Sequence, residues 1–578
     1  MSHTGRHVLK KTLSLSTIYI AMLMSGVANS ALINIDDESL TISDDQSSNS
    51  YNVNGSSLSM IGSSSIIGSD PTKAAITINT VRDEDKRSTI SINGGTVNGI
   101  IDGMITNNAP GSDFFIQNGT INGKLLVGVS PKSPAGEGYN TVNIIDSTIN
   151  SSGSYKGIGN AIKAQSVENF LLSNSEVNHE NGTGINIQQF SGIPSSNIST
   201  IDKSTISVKN GTGIFAAHDN LDVTDTTINV GISPDAGDIT LVAIQLLTGA
   251  TNNPQDLYVS QLKLNNSTIN SDSAGVYLSN SDAKISGSKI NANKIFGVRT
   301  TGGNLSLAQS TEINSTGSAV GLSVTTNSRS TNTGQRLSNI NISDTQITAE
   351  KNAALAVSSD VIAKIKTWSK TVLSSGGQQA VTIAKNADVQ MQMDNSQIRG
   401  DVSIEKGGKL DLNLLNKTLF MGAAQNIDTL SVSSDSHWDM TDNSFIGSLN
   451  NIGGRITFSP SSIAQDNSSF KTLHVASNYH GDNAQLIMNT QLGDDDSPTD
   501  KLVIEGNTSG ETHVKVNNLG GTGNITQKGI ELITVKGNSD GEFKQDGRIV
   551  AGVYDYFLGR GADNKGTDNK NWYLTSEL

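Results

Sequence analysis

The chain has 578 residues, 35% of them apolar and only 16% charged, with 58 glycines, no cysteine and a net charge of −14. The lack of cysteine excludes disulfides, Cys-ligated zinc and thiol catalysis, and an acidic chain without a Lys/Arg run argues against a nucleic-acid partner. Its polarity comes from Ser, Thr, Asn and Gly rather than charge, which suits strands and turns better than charge-rich disorder.

Residues 1–30 read as a secretory signal. Arg6, His7, Lys10 and Lys11 form a basic start, Leu13 to Val27 is mostly apolar, and Ala28-Asn29-Ser30 before Ala31 is a small-x-small cleavage site. The alternative, an N-terminal membrane anchor, is opposed by Ser14, Ser16, Thr17 and Ser25, which leave the run too short and too polar to span. Residues 31–110 read as an N-terminal cap and first rungs. Clear alternation begins at Ala75-Ile76-Thr77-Ile78 and Thr89-Ile90-Ser91-Ile92.

Residues 111–436 carry a repeating phrase: Asp146-Ser147-Thr148-Ile149-Asn150, Lys203-Ser204-Thr205-Ile206-Ser207 and Asn266-Ser267-Thr268-Ile269-Asn270, with looser copies between. Most copies are followed by a small residue or Gly and alternating apolar residues, as in Gly213-Ile214-Phe215-Ala216 and Gly275-Val276-Tyr277-Leu278. Each unit therefore reads as strand, turn, strand, turn. The apolar residue of the phrase falls at 149, 177, 206, 228, 269, 290, 313 and 347, so the steps are 28, 29, 22, 41, 21, 23 and 34. A base period of roughly 20 to 30 residues marks a stack of rungs. There are too few Leu at fixed offsets for leucine-rich repeats and no 3.6-residue period for helical repeats, so the fold class is all-β, a parallel β-helix. Residues at the same position of successive rungs would lie about 4.8 Å apart, with the recurring Ile inside. A Ser/Thr/Asn-rich chain that never folds is the alternative, and the regular alternation opposes it. Gly231 to Pro254 and Thr325 to Gly334, within the longest steps, read as projecting loops, where a solenoid carries binding function. Ile362 to Ser369 reads as a short helix.

From His437 to the end the phrases become distinctive: Trp438-Asp439-Met440-Thr441, Ser444-Phe445-Ile446-Gly447-Ser448-Leu449, Gly454-Arg455-Ile456-Thr457-Phe458, Asp500-Lys501-Leu502-Val503-Ile504, Gly552-Val553-Tyr554-Asp555-Tyr556-Phe557-Leu558 and Asn571-Trp572-Tyr573-Leu574. In order and spacing, residues 437–578 resemble the C-terminal part of pertactin-like autotransporter passengers. The resemblance implies type V secretion, a right-handed β-helix folded outside the cell, and a stable C-terminal autochaperone end that folds first. It also implies an outer-membrane β-barrel after residue 574, for which four residues leave no room. The chain is thus expected to be a passenger truncated before its barrel. It would sit at the cell surface if a barrel is supplied, and otherwise be periplasmic or secreted. Trp438, Phe445, Phe458, Phe470, Phe543, Tyr554, Tyr556, Phe557, Trp572 and Tyr573 concentrate the scarce aromatics at that end, where they are expected to add buried area.

No residue earns a catalytic or metal-ligating role, no cofactor is expected, and no binding residue can be named. Asp494-Asp495-Asp496 with Pro498 and Asp500 reads as a solvated turn rather than a carboxylate centre. His179, His218, His437, His474, His480 and His513 are scattered and read as surface residues, while His3 and His7 belong to the signal. No His-Glu-x-x-His, Gly-x-Ser-x-Gly or phosphate-loop motif is present, and Gly559-Arg560-Gly561-Ala562-Asp563 reads as a loop. The expected function is non-enzymatic adhesion to an unknown host or bacterial surface ligand, or self-association, by a rod of roughly 20 rungs and about 100 Å. The alternative is a secreted β-helix enzyme acting on acidic polysaccharide. Purified residues 31–578 should give a β-rich far-ultraviolet circular dichroism spectrum and a protease-resistant C-terminal fragment. A helical spectrum, or protection confined to the N-terminal half, would contradict this reading.

Overall fold

The recurring phrase is a corner followed by a strand. In Asp146-Ser147-Thr148-Ile149-Asn150, Asp146 takes a positive φ of 51°, and the same left-handed corner recurs at Asn174 (46°), Lys203 (46°), Asp225 (48°) and Asn266 (45°). Asn and Asp tolerate this conformation better than most side chains. The hydroxyl residue after the corner turns inward, where its oxygen must find partners. Ser147 Oγ donates to Ile145 O at 2.6 Å and accepts the Gly119 N–H at 3.1 Å. The column continues from rung to rung: Ser147 N–H to Ser175 Oγ (3.0 Å), Ser175 to Ser204 (3.1 Å), Ser204 to Thr226 (3.3 Å), Thr226 to Ser267 (3.1 Å) and Ser267 to Ser288 (3.1 Å). Each hydroxyl thus serves the backbone of its own corner and of the rung before it.

The computed structural model describes residues 32–578 except 37, 44–45, 48, 68–72, 80–86, 105–110, 129–138, 156, 190–197, 232–240, 249–258, 327–336, 434, 461–469 and 563–569. The expected signal at residues 1–30 lies outside the described residues. Among those residues there is no α-helix, and the strands join one continuous sheet that winds as a parallel β-helix. The expected all-β, right-handed solenoid is the fold the chain adopts.

Each rung has three strands, not two. The middle rungs show this: Asn220–Thr224, Thr227–Val230 and Val242–Leu247 pair in parallel with Gln261–Asn265, Thr268–Ser271 and Ala274–Ser279 of the next rung. The strand missing from the two-strand reading precedes the phrase, as in Leu221-Asp222-Val223 and Leu262-Lys263-Leu264, where two inward residues are too brief to stand out. Twenty strand segments follow one another along one face of the described chain, from Leu32–Asp36 to Ile530–Val535. At about 4.8 Å per step the stack is about 90 Å long.

Register keeps like residues together. Val177 pairs with Ile206, Ile206 with Ile228, Ile228 with Ile269, Ile269 with Ile290, Ile290 with Ile313 and Ile313 with Ile347, all fully buried. That ladder also explains the small residue opening the second phrase. A Cβ on Gly275 would lie 2.7 Å from Ile290 Cγ2, one on Gly297 2.3 Å from Ile313 Cγ2, and one on Gly321 2.5 Å from Ile347 Cγ2. The branched side chain of one face fills the corner that the glycine leaves empty.

Two local expectations are corrected. Ile362–Trp368 is a strand, not a helix, with Ala363, Ile365 and Thr367 inward and Ile362, Lys364, Lys366 and Trp368 outward. Alternation of period two decides it, and pairing with Ser338–Ser343 and Asp388–Asp394 on either side fixes it. The stretch from Gly231 to Pro254 contains the strand Val242–Leu247, so it is not one loop. Residues 232–240 and 249–254, and 327–334 of the other proposed loop, lie outside the described residues.

The C-terminal end changes topology. Ile549–Ala551 and Tyr554–Arg560 pair antiparallel, as do Tyr554–Arg560 and Trp572–Glu577, and the last strand also runs antiparallel to Ile530–Val535. Tyr556, Trp572 and Leu574 from this cap are buried in the continuous core, with Trp438, Phe458, Tyr479 and Phe543 from the parallel strands below. The expected aromatic enrichment is therefore only partly interior: Phe445 and Phe557 are 40% and 45% exposed. Replacing Gly297 by Val should cost about 1–3 kcal/mol or more through the clash with Ile313. Gly159→Ala meets nothing closer than 4.0 Å and should stay within about 0.5 kcal/mol. Denaturation midpoints of the two variants check this; equal losses would mean the corner has room.

Candidate functional site

The outward Asn of the phrase forms the most regular surface feature. Asn122 Nδ2 donates to Asn98 Oδ1 at 2.7 Å, Asn150 to Asn122 at 3.0 Å and Asn178 to Asn150 at 3.1 Å. Beyond Ser207 the file resumes, with Asn270 to Asn229 at 2.9 Å, Asn291 to Asn270 at 2.9 Å and Asn314 to Asn291 at 3.2 Å. A primary amide has two N–H groups and two lone pairs, so a stack using one of each still presents a row of donors and acceptors outward. Beside the second half lies an open trough of about 530 Å³, lined by Ser207, Lys209, Asn229, Asp272, Asn291 and Thr316 among others. Lys209 pairs with Glu180 at 3.3 Å across the rung. The trough can hydrogen-bond a polar ligand, and Lys209 and Asp272 give it one charge of each sign.

Ionisable groups are buried elsewhere for structural reasons. Asp219 is 1% exposed, and burial pushes its carboxyl up to about 7, only partly offset by the Ser199 hydroxyl and Gln189 amide that face it. Gln189 Nε2 lies 3.4 Å from Asp219 Oδ1 and donates to Val167 O at 2.9 Å. Lys124 is lowered to about 8 by burial and gives its ammonium hydrogens to Ser151 Oγ, Gly153 O and Asn160 O. His179 lies between Ser151 O (3.3 Å) and Gly159 O (2.9 Å), and burial, with Lys124 nearby, depresses its proton affinity.

The sequence-derived candidates are placed as follows. His179 is buried, contrary to the surface reading, because the Ser151 and Gly159 carbonyls of the preceding rung face its ring nitrogens. His218 occupies a left-handed corner (φ 54°) with Nδ1 against Gln189 O. His437 is half-buried against Thr457 Oγ1 at 2.8 Å, and His474 stacks on Phe445 with 4.8 Å between centroids and faces Glu505 at 2.9 Å. His480 contacts Ser509, and His513 lies 3.3 Å from Glu511. The histidines do not converge, and among the described residues no group of three His, Asp or Glu could hold a metal.

The acidic cluster divides into three roles. Asp494 and Asp496 are exposed on a turn, as expected. Asp495 accepts the backbone N–H groups of Gln527, Lys528 and Gly529 at 2.8–3.0 Å; burial works against its charge, but these donors hold its carboxyl below the ordinary range. Asp500 is buried, not solvated: it accepts the N–H of Lys471 and both the N–H and side-chain amide of Asn489, each at 2.8 Å, and burial raises it. The Gly559-Arg560 loop is also corrected. Both residues lie in the strand Tyr554–Arg560, and the Arg560 guanidinium sits 4.6 Å over Trp572.

Asp495 ties residues 527–529 to the rung before them, and Tyr556 Oη, donating to Gly493 O at 2.8 Å, is the latch that fastens the antiparallel cap to the last rungs. Residues 444–558, which span this latch, match the family described as Autochaperone Domain Type 1. The expected resemblance to autotransporter passengers holds. A segment of 106 residues is 51% identical to the uncharacterized protein YdeU of Escherichia coli (strain K12), covering 18% of this chain and 22% of that protein. Over 105 residues the chain is 49% identical to the autotransporter adhesin AIDA-I of Escherichia coli, covering 18% and 8%. Over 124 residues it is 43% identical to the adhesin BmaC autotransporter of Brucella suis biovar 1 (strain 1330), covering 20% and 4%. The chain thus spans less than a quarter of the length of these relatives. Among solved structures, the autotransporter UpaB from E. coli strain CFT073 aligns with 94% of this chain and 100% of its own at 15% identity and a TM-score of 0.31. The Haemophilus influenzae Hap adhesin aligns with 91% and 64% at 12% identity and a TM-score of 0.33.

Asp219 supplies a test of the buried polar corner. Because its folded pKa lies above the ordinary carboxylate value, the stability it allows is full in acid, falls as pH rises from about 4 and levels off above about 7. Asp219→Asn removes the charge, so it should raise the denaturation midpoint at about pH 8 and change it little near pH 4. A variant equally altered at both pH values would show that the carboxyl is not held neutral.

Proposed function

We propose that the chain is an autotransporter passenger, exported across the cell envelope to the surface or medium, that acts as a non-enzymatic adhesin. The observation carrying this reading is the autochaperone match at residues 444–558, with 49% identity over 105 residues to an autotransporter named as an adhesin. The physics of the fold supports it. In a one-dimensional stack each rung contacts only its neighbours, so a capped end rich in buried aromatics can form first and template the rest. The long polar faces then offer many weak hydrogen-bonding sites along about 90 Å, which suits attachment through multiple contacts. Self-association through the amide file is the variant of this reading in which the surface ligand is a second copy.

Beads coated with the purified chain should attach to epithelial or bacterial cells, or to each other, and the chain should release no reducing ends or unsaturated products from acidic polysaccharides. Reducing ends released by the chain would favour the secreted polysaccharide enzyme instead. Failure of the beads to attach to any surface or to one another would overturn the adhesin reading.

A further inference from the structure

The outer side of the face formed by the second phrase carries an unusual file. Lys163, Phe215, Gln245, Tyr277, Arg299 and Ser323 occupy one register position on successive rungs, with Asn186 between the first two. Their neighbours Ile162 and Ala164, Ile214 and Ala216, Val276 and Leu278 point inward and are fully buried, so alternation sends the file outward. Lys163, Phe215, Gln245, Tyr277 and Arg299 are only half-buried, which leaves them within reach of solvent.

Two cations of this file lack a carboxylate partner among the described residues. Arg299 lies with its guanidinium carbon 4.1 Å from the centre of the Phe296 ring and donates Nε–H to Ser323 Oγ at 3.3 Å, yet no carboxylate of the described residues pairs with it. Lys163 is likewise half-buried with no acidic partner among them. Half-buried cations without counter-ions stand out in a chain of net charge −14. Between them stand two aromatic rings. Tyr277 packs on Phe296 with ring centres 6.3 Å apart, over a small apolar cluster of Phe296, Val242 and Ala274 that is separate from the main core.

We propose that this file binds a linear anionic polysaccharide, with Arg299 and Lys163 receiving its carboxylate or sulfate groups and Phe215 and Tyr277 packing on the apolar faces of sugar rings between them. Guanidinium forks match planar oxyanions in pairs of hydrogen bonds, and an ammonium supplies a point charge. The two cations are five rungs apart, about 24 Å, so the ligand must be a polymer with a short regular repeat. Nucleic acid would need many more cations and a basic field that this chain lacks. The inference goes beyond adhesion, because binding in solution needs no cell surface and can succeed where attachment fails.

The test is calorimetric titration of the full chain with polygalacturonate, dextran sulfate, neutral dextran and poly-L-glutamate. Both acidic glycans should bind, with neutral dextran and poly-L-glutamate weaker by about tenfold or more. Arg299→Gln and Lys163→Gln should each lower glycan affinity by about tenfold with unchanged circular dichroism spectra. Lys284→Gln removes the same charge from the exposed file of a different face and should leave affinity unchanged. Tyr277→Ala should weaken both acidic glycans alike. Glycan affinity unaffected by Arg299→Gln and Lys163→Gln, equal losses on Lys284→Gln, or equal binding of poly-L-glutamate would each overturn the proposal.

Discussion

Everything in this molecule depends on the parallel hydrogen bonding of one rung to the next. A repeat of about 4.8 Å places each side chain directly above and below its counterparts, so the recurring positions are held by residue types that can stack on themselves. Ile does so inside, where its branched side chain meets another Ile at van der Waals distance. Ser and Thr do so at corners, because a hydroxyl both donates and accepts. Asn does so outside, since its amide donates to the oxygen of the next. Like charges that stack repel each other and are placed on the exposed side, as where Lys263 pairs with Lys284 and Glu511 with Glu542.

The corners turn this translation into a closed coil. A left-handed residue such as Asp146 or Asn266 redirects the chain, and the hydroxyl that follows satisfies backbone groups left unpaired at the bend. At the next corner the constraint is steric. Gly275, Gly297 and Gly321 lie against the branched methyls of Ile290, Ile313 and Ile347, so small residue and large residue alternate around the rung. The two phrases in the sequence are therefore the two halves of one packing problem.

A stack of parallel rungs leaves an edge at each end, and such an edge templates further pairing. At the C-terminal end the chain changes direction, and antiparallel strands carrying Tyr556, Trp572 and Leu574 close the core. Tyr556 locks that cap to the last rungs through the Gly493 carbonyl, and Asp495 joins two of those rungs through the backbone donors of residues 527–529. The same residues fall within the matched autochaperone segment.

The sequence by itself determined the solenoid, the inward Ile ladder and the distinctive C-terminal end, because these follow from short-range periodicity and recurrence that need no knowledge of distant contacts. It did not determine the third strand of each rung, whose two inward residues are too brief a signal, nor the state of Ile362–Trp368, which pairing on both sides settled as a strand. Nor could it show that Asp500 and His179 are buried while Asp494 is exposed, since that depends on which carbonyls and amides of other rungs lie within reach. The outward file from Lys163 to Ser323 was equally hidden. Its members are more than twenty residues apart along the chain, and only the register of the stack brings them into one line.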